Sequence, residues 1–165
     1  MSAALVPAPV PTSEYRALML YDKVPAGCFT WLCANDKSIP HVKPGEWVVI
    51  DPSQRKPLLG EMYLIKFGPH ARNEHLCLTT MYTLSDGRRV WMVGSVRNSE
   101  YWAAKERVIA MRLPFDQQQE LIWQCALRAK SWSEGPYEMA GRSYDHLCHC
   151  LQGMVIGIYQ AGEAA

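Results

Sequence analysis

Short runs of apolar residues, each bounded by glycine or proline, occupy the middle of this chain. Residues 47–50 and 62–65 are two such runs of four residues, with a length and boundaries typical of buried strands. Further apolar stretches follow at 76–83, 89–93 and 107–113. Asp86-Gly87 separates two of them, and this dipeptide is a strong signal for a tight β-hairpin turn. The pattern therefore predicts a strand-rich body over residues 47–113.

The pattern becomes helical in the C-terminal third. Pro114 and Asp116 are typical of a helix start, and residues 117–130 contain neither glycine nor proline. A partial apolar face at helical spacing is formed by Leu121, Ile122, Cys125 and Leu127. The elements predicted here are an added helical segment at about 114–131, a loop at 131–141 and a final buried strand at 152–159.

The two ends of the chain differ from the body in composition. Residues 1–13 consist mainly of proline, alanine and valine, and we expect a flexible arm there. Residues 161–165 are expected to form a frayed tail. The 165 residues are a typical length for one domain, so residues 14–160 are predicted to form a single folded unit.

The charge balance argues against nucleic acid as a partner. The chain carries 17 Lys and Arg against 16 Asp and Glu, a formal net charge of +1. A nucleic-acid-binding module is normally clearly basic. No apolar run reaches the roughly 18 residues that span a bilayer, and the start does not have the pattern of a signal peptide. We therefore expect a cytoplasmic protein without membrane association, with six reduced cysteines and no cofactor.

Residues 35–51 carry the strongest motif: Asn-Asp-Lys-Ser-Ile-Pro, a three-residue spacer, and Pro-Gly-Glu leading into Trp-Val-Val-Ile-Asp. It resembles the active-site signature of the LexA-like serine peptidases, which reads Gly-Asp-Ser-Met-x-Pro, a short spacer, Pro-Gly-Asp and an apolar strand ending in Asp. Weaker matches follow in the family's order at 60–65, 98–101 and 153–159. The resemblance implies a mainly β, LexA-like peptidase fold. Residues 114–150 would be an insertion that is atypical of the family.

The family cleaves with a Ser–Lys dyad, in which a buried lysine with a lowered pKa takes the proton of the serine. Here the serine position holds Lys37, and Ser38 stands one residue later. The position of the family's lysine falls at Thr79 or Thr80, and threonine cannot act as a general base. Lys37 is a poor replacement, since neighbouring side chains on an extended chain point to opposite faces. The resemblance therefore implies a degenerate peptidase with no working catalytic residues.

LexA-like proteins act as repressors or polymerase accessories and dimerise through this domain. Residues 1–34 are too few and too rich in proline to build the helix-turn-helix domain of the repressors. We therefore expect a homodimeric pseudo-peptidase of a bacterium, phage or mobile element that binds a protein partner in transcriptional or SOS-type control. A LexA-like repressor, captured in a mixed dimer, is one such partner. The expected contact residues line the former substrate cleft between 34–39 and 76–80: Asp36, Ser38, Ile39 and Leu78.

One alternative is an active, UmuD-like enzyme that cleaves itself. Its nucleophile would be Ser38, and its cleavage site would be the Ala26-Gly27 bond, because the family cuts between a small residue and glycine. The simpler interpretation of Pro25-Ala26-Gly27 is a turn.

A second alternative is a zinc-binding module at His146, Cys148, His149 and Cys150. Thiolate and imidazole are zinc ligands, but structural zinc sites normally use two ligand pairs that are well separated in sequence. The chain contains no Cys-x-x-Cys motif. Packing of reduced cysteines is therefore the preferred interpretation, and no metal site is predicted.

Trp123, Arg128 and Trp132 accompany the added helix. Aromatic residues and arginine are enriched at protein interfaces. A helix that packs on its own domain would use the same residues, so both interpretations stay open at the level of sequence.

Overall fold

Eight strands and three helices make up the described parts of the chain. The structure, a computed structural model, describes residues 18–39, 41–69, 73–95, 99–128 and 132–161. In chain order the elements are β1 (Met19–Tyr21), β2 (Phe29–Leu32), β3 (Trp47–Asp51), β4 (Met62–Lys66), β5 (Glu74–Thr83), β6 (Arg89–Gly94), α1 (Ser99–Ala110), α2 (Phe115–Arg128), β7 (Ser133–Tyr137), α3 (Arg142–Cys150) and β8 (Leu151–Tyr159). Within these residues, no helix has the length and apolar character needed to cross a membrane.

The strands form one sheet in the order β2-β3-β8-β4-β5-β6-β7, with β1 beside β8. Neighbouring strands are antiparallel, except that β1 runs parallel to β8. β8 is central, because it pairs with β3 along one edge and with β1 and β4 along the other. The sheet curls, so that Nε1 of Trp31 on β2 donates a hydrogen bond to Oε2 of Glu74 on β5 (3.1 Å). The prediction of a mainly β fold is confirmed.

Both faces of the sheet are packed. One cluster of buried residues consists of Cys33, Val42, Val48, Ile50, Met62, Leu64, Leu76, Val155 and Ile158. The other consists of Tyr63, Ile65, Cys77, Trp91, Val93, Tyr137, Leu147, Cys150 and Leu151. β4 therefore alternates between the two clusters, and all of residues 62–65 are buried. This two-sided burial explains why the run is apolar without any alternation.

The helices relate to this sheet in two different ways. α3 places Leu147 and Cys150 in the second core cluster. α1 and α2 instead pack against each other as a helical hairpin. Val108 of α1 is buried, whereas no residue of α2 is. α2 therefore contributes no buried side chain to either core cluster.

Most of the elements predicted from the sequence are present. Residues 47–50, 62–65, 76–83 and 89–93 lie in β3, β4, β5 and β6, and residues 152–159 lie in β8. The turn at Asp86-Gly87 is confirmed: Leu84 N donates to Arg88 O at 2.8 Å, and Gly87 has a φ of +84°. The added helix is confirmed as α2.

The strand predicted at residues 107–113 was wrong. Residues 107–110 instead form the end of α1, and Met111 N donates to Arg107 O at 3.2 Å. The β-branched pair Val108-Ile109 favours a strand locally. The free energy of this local preference is smaller than the stabilisation gained when two helices of 12 and 14 residues pack against each other.

The predicted loop at 131–141 was also wrong in part, because it contains β7, which pairs with β6 through Trp91 and Tyr137. The glycine and proline of β7 are typical of turns, yet an edge strand tolerates both. The insertion at 114–150 also includes α3, which the sequence pattern did not predict. The predicted arm at 1–13 and residues 162–165 of the predicted tail lie outside the described residues.

Candidate functional site

The loop that carries the LexA-like motif connects β2 to β3 and is tied at its base. Cys33 N donates to Glu46 O (2.9 Å), and Gly45 N donates to Cys33 O (2.7 Å). Gly45 has a φ of +89°, a backbone conformation that favours glycine. The Glu46 carboxylate also accepts a hydrogen bond from Lys43 N (2.7 Å). The Pro-Gly-Glu turn thereby fixes the two ends of the loop around Ser38.

Ser38 lies inside this loop and is only 2% exposed. Its side chain hydrogen-bonds with the Cys33 thiol, whose pKa is raised by burial. Its carbonyl accepts a hydrogen bond from Val42 N (3.0 Å). The serine side chain is therefore enclosed within the loop.

Lys37, in the family's serine position, interacts electrostatically with His75 on β5. Its backbone N–H donates to Oδ1 of Asn35 (3.0 Å) at the start of the turn. The pKa of His75 on β5 is lowered, first by burial and then by the positive charge of Lys37. The ring of His75 lies 5.7 Å from that of Trp132. A lowered pKa keeps this imidazole neutral at neutral pH.

His75 is the residue of this region that sequence reasoning missed. It directly precedes a predicted strand, and nothing in the local sequence indicates that Lys37 lies near it. The carboxylate of its neighbour Glu74 has other partners: it accepts a hydrogen bond from Trp31 Nε1 and lies 3.5 Å from the Lys66 ammonium. Consecutive side chains on a strand point to opposite faces, which separates Glu74 from His75.

Thr79, at the expected position of the family's lysine, hydrogen-bonds to backbone groups of a neighbouring turn. It is fully buried, and its hydroxyl donates to the carbonyls of Leu58 and Glu61, the latter at 3.2 Å. Thr79 N donates to Glu61 O (3.1 Å), and Gly60 N donates to Thr79 O (2.8 Å). These bonds hold the turn that leads into β4. Thr80 is exposed, and its hydroxyl donates to Met92 O (3.3 Å).

The four residues expected to contact a partner differ in exposure. Asp36 and Ile39 lie at the surface, with Ile39 48% exposed. Ser38 is buried, and Leu78 packs half-buried against the first core cluster. Two of the four side chains are therefore accessible to a partner without rearrangement.

The proposed cleavage site lies in an exposed turn between β1 and β2. Cys28 N donates to Pro25 O (3.1 Å), which closes the turn around Ala26 and Gly27. Gly27 has a φ of +80°, so glycine is favoured at this turn for conformational reasons alone.

The His/Cys cluster lies on α3, where helical geometry separates its members. His146 Nε2 and Cys150 Sγ, one turn apart, are separated by 3.6 Å. Cys148 is on another side of the helix and hydrogen-bonds with Tyr144. Among the described residues, no group of three or more His, Cys, Asp or Glu side chains is placed to hold a metal ion.

Comparison with known proteins found no match. No family model matches this chain, no curated protein matches it, and no solved structure matches it. The LexA-like resemblance therefore depends on the residues of the motif and their order.

Proposed function

We propose that this chain is a catalytically silent, cytoplasmic regulator of LexA-like descent that acts by binding a protein partner. The observation that carries the proposal is the role of Thr79. Its hydroxyl is committed to the carbonyls of Leu58 and Glu61, at the position where the family places its lysine. A residue that holds a turn in this way supplies no base to a nucleophile.

The surroundings of Ser38 support the same conclusion. A serine nucleophile needs a base within hydrogen-bonding reach and access to the substrate. Ser38 is enclosed beside the Cys33 thiol, and the charge of its neighbour Lys37 acts on His75. These surroundings support a motif that keeps the shape of the loop without supporting peptidase activity.

Partner binding is supported by the end of the sheet from which this loop extends. β2 is the terminal strand, and within the described residues it pairs only with β3. An edge strand offers unpaired N–H and C=O groups to an added strand. Exposed apolar side chains surround this edge: Phe29, Leu32, Ile39 and Trp47. We propose that a regulatory protein, such as a LexA-like repressor, docks here in transcriptional or SOS-type control.

Intact mass tests whether the chain is silent. The purified wild type and Ser38→Ala are incubated side by side at neutral and alkaline pH. We expect unchanged masses in both. A fragment ending at Ala26 that forms in the wild type alone would instead establish the UmuD-like, self-cleaving enzyme.

Binding is tested by co-purification with a candidate LexA-like repressor, using Ile39→Asp and the control Met139→Asp. Both side chains are exposed, but Met139 lies just before α3. We expect Ile39→Asp to weaken binding and Met139→Asp to leave it unchanged. Equal binding by all three chains would show that the β2 end is not the contact.

A further inference from the structure

A row of four apolar and aromatic side chains crosses one end of the sheet. Leu32 of β2 pairs with Trp47 of β3, and Trp47 pairs with Tyr159 of β8. Tyr159 also pairs with Tyr21 of β1. Directly paired residues lie on the same face of a sheet, so the four side chains form one continuous row. Because neighbouring strands are about 4.8 Å apart, the row is about 14 Å long.

This row is accessible and lies on a closed surface. Leu32 is 40% exposed and Trp47 is 45% exposed. A Cβ atom on Gly157 would clash with the ring of Tyr21, so this ring lies against the backbone of β8. Val49, which pairs with Gly157, is fully buried although it belongs to neither core cluster. The row is therefore a flat aromatic platform without a charged side chain.

The N-terminal part of the same chain has the composition that such a platform binds. Residues 1–13 contain no charged side chain, and every second residue from 7 to 11 is a proline: Pro7, Pro9 and Pro11. Proline fixes its φ near −65°, which favours polyproline II structure. Segments of this kind bind to rows of aromatic side chains. Five residues of polyproline II span about 15 Å, so residues 7–11 match the length of the row.

The position of β1 brings this segment to the platform. Leu18 directly precedes β1, and the exposed Met19 lies on the same face as Tyr21, because successive side chains of a strand alternate. Residues 12–17 connect Pro11 to Leu18. Seven extended residues span up to about 23 Å, which exceeds the length of the row. A tether of this length gives an effective concentration in the millimolar range, so a weak contact is sufficient.

We infer that residues 7–11 bind across the row Leu32, Trp47, Tyr159 and Tyr21 of their own molecule, as a polyproline II segment. The proline rings pack against the aromatic rings, and the contact is reversible because it is small and apolar. Leu32 and Trp47 also flank the β2 edge, so the bound segment covers part of the surface proposed for the protein partner. The partner therefore has to displace it. This competition rests on the proposed function, whereas the contact itself does not.

Nuclear magnetic resonance of the full-length chain tests the contact. The test variant carries Pro7→Gly, Pro9→Gly and Pro11→Gly, which removes both the proline rings and the polyproline II preference. We expect the indole N–H signal of Trp47, identified with Trp47→Phe, to move between the wild type and this variant. The signal of Trp91, which lies in the second core cluster, should stay in place and verifies the fold. An unchanged Trp47 signal would overturn the inference.

Dilution distinguishes binding within one molecule from exchange of the segment between copies. A contact within one molecule gives the same Trp47 signal at every protein concentration. A contact between copies is lost on dilution, and the wild-type signal would then approach that of the triple-glycine variant. Such a concentration dependence would contradict the intramolecular contact.

The competition is tested by measuring the affinity of both chains for a candidate LexA-like repressor. If the segment is bound nine-tenths of the time, its removal lowers the dissociation constant about tenfold. Equal affinities of the two chains would exclude the competition. If neither chain binds although the Trp47 signal moves, the contact stands and the proposed partner is wrong. If both chains bind equally and the signal does not move, the inference fails and the proposed function stands.

Discussion

At the scale of single residues, Thr79 is committed to holding the backbone of a neighbouring turn. Its hydroxyl and its backbone N–H and C=O all bond within the segment that precedes β4. A lysine side chain there would have to displace these bonds, because the position is completely enclosed. Thr80, the other candidate for the family's lysine, is exposed and bonds to β6. Adjacent threonines thus have opposite surroundings, which the sequence does not distinguish.

Replacing Thr79 by valine should therefore destabilise the fold. Valine has the same shape but removes the only side-chain donor to the Leu58 carbonyl, and we expect a loss of about 1–2 kcal/mol in the free energy of unfolding. Urea denaturation measures the change. Thr80→Val is the matched control, since its bond is at the surface, and its unfolding midpoint should stay close to that of the wild type. Equal midpoints for both variants would mean that Thr79 has no special role in the turn.

At the scale of elements, α3 depends on a residue almost a hundred positions earlier in the chain. The last carbonyls of a helix lack partners within the helix. Arg55 supplies them, with Nε donating to Leu151 O (2.5 Å) and Nη2 donating to His149 O (2.8 Å). A cation at this end also interacts favourably with the helix dipole. The sequence analysis preferred packing of reduced cysteines in this stretch but did not predict the helix, because the arginine that bonds its last carbonyls is far away in the sequence.

Arg55→Met should weaken the junction of α3 and β8. The variant keeps an unbranched apolar stem similar to that of arginine but removes both donors, and we expect a loss of about 1–2 kcal/mol in unfolding free energy. Thermal unfolding followed by circular dichroism provides the measurement. Arg88→Met serves as control, because Arg88 makes exposed ion pairs with Asp86 and Glu138 that contribute little to stability. A control as damaging as Arg55→Met would contradict the capping role.

At the scale of the whole molecule, the sheet and the helical hairpin are stabilised differently. β4 and β8 lie in the middle of the strand order and supply residues to both core clusters. α2 has no buried residue. The free energy of local opening rises with the number of buried contacts that are lost. We therefore expect α2 to open without unfolding of the sheet.

Native-state hydrogen exchange should reveal this difference. We expect the amides of β4 and β8 to exchange only through global unfolding, and those of α2 to exchange at least about tenfold faster through local opening. Protection of α2 equal to that of β4 would show that the hairpin belongs to the same cooperative unit as the sheet.

The sequence by itself determined the elements whose cause is local. Residues 62–65 had to be a strand buried on both faces, because four apolar residues between glycine-bounded turns have no polar face to expose. Asp86-Gly87 had to be a turn for a similarly local reason. Tertiary structure alone decided that residues 107–110 are helical, that Thr79 faces a turn, and that Lys37 lies near His75. Those outcomes depend on contacts between distant parts of the chain, whose free energy outweighs local preference and leaves no trace in neighbouring residues.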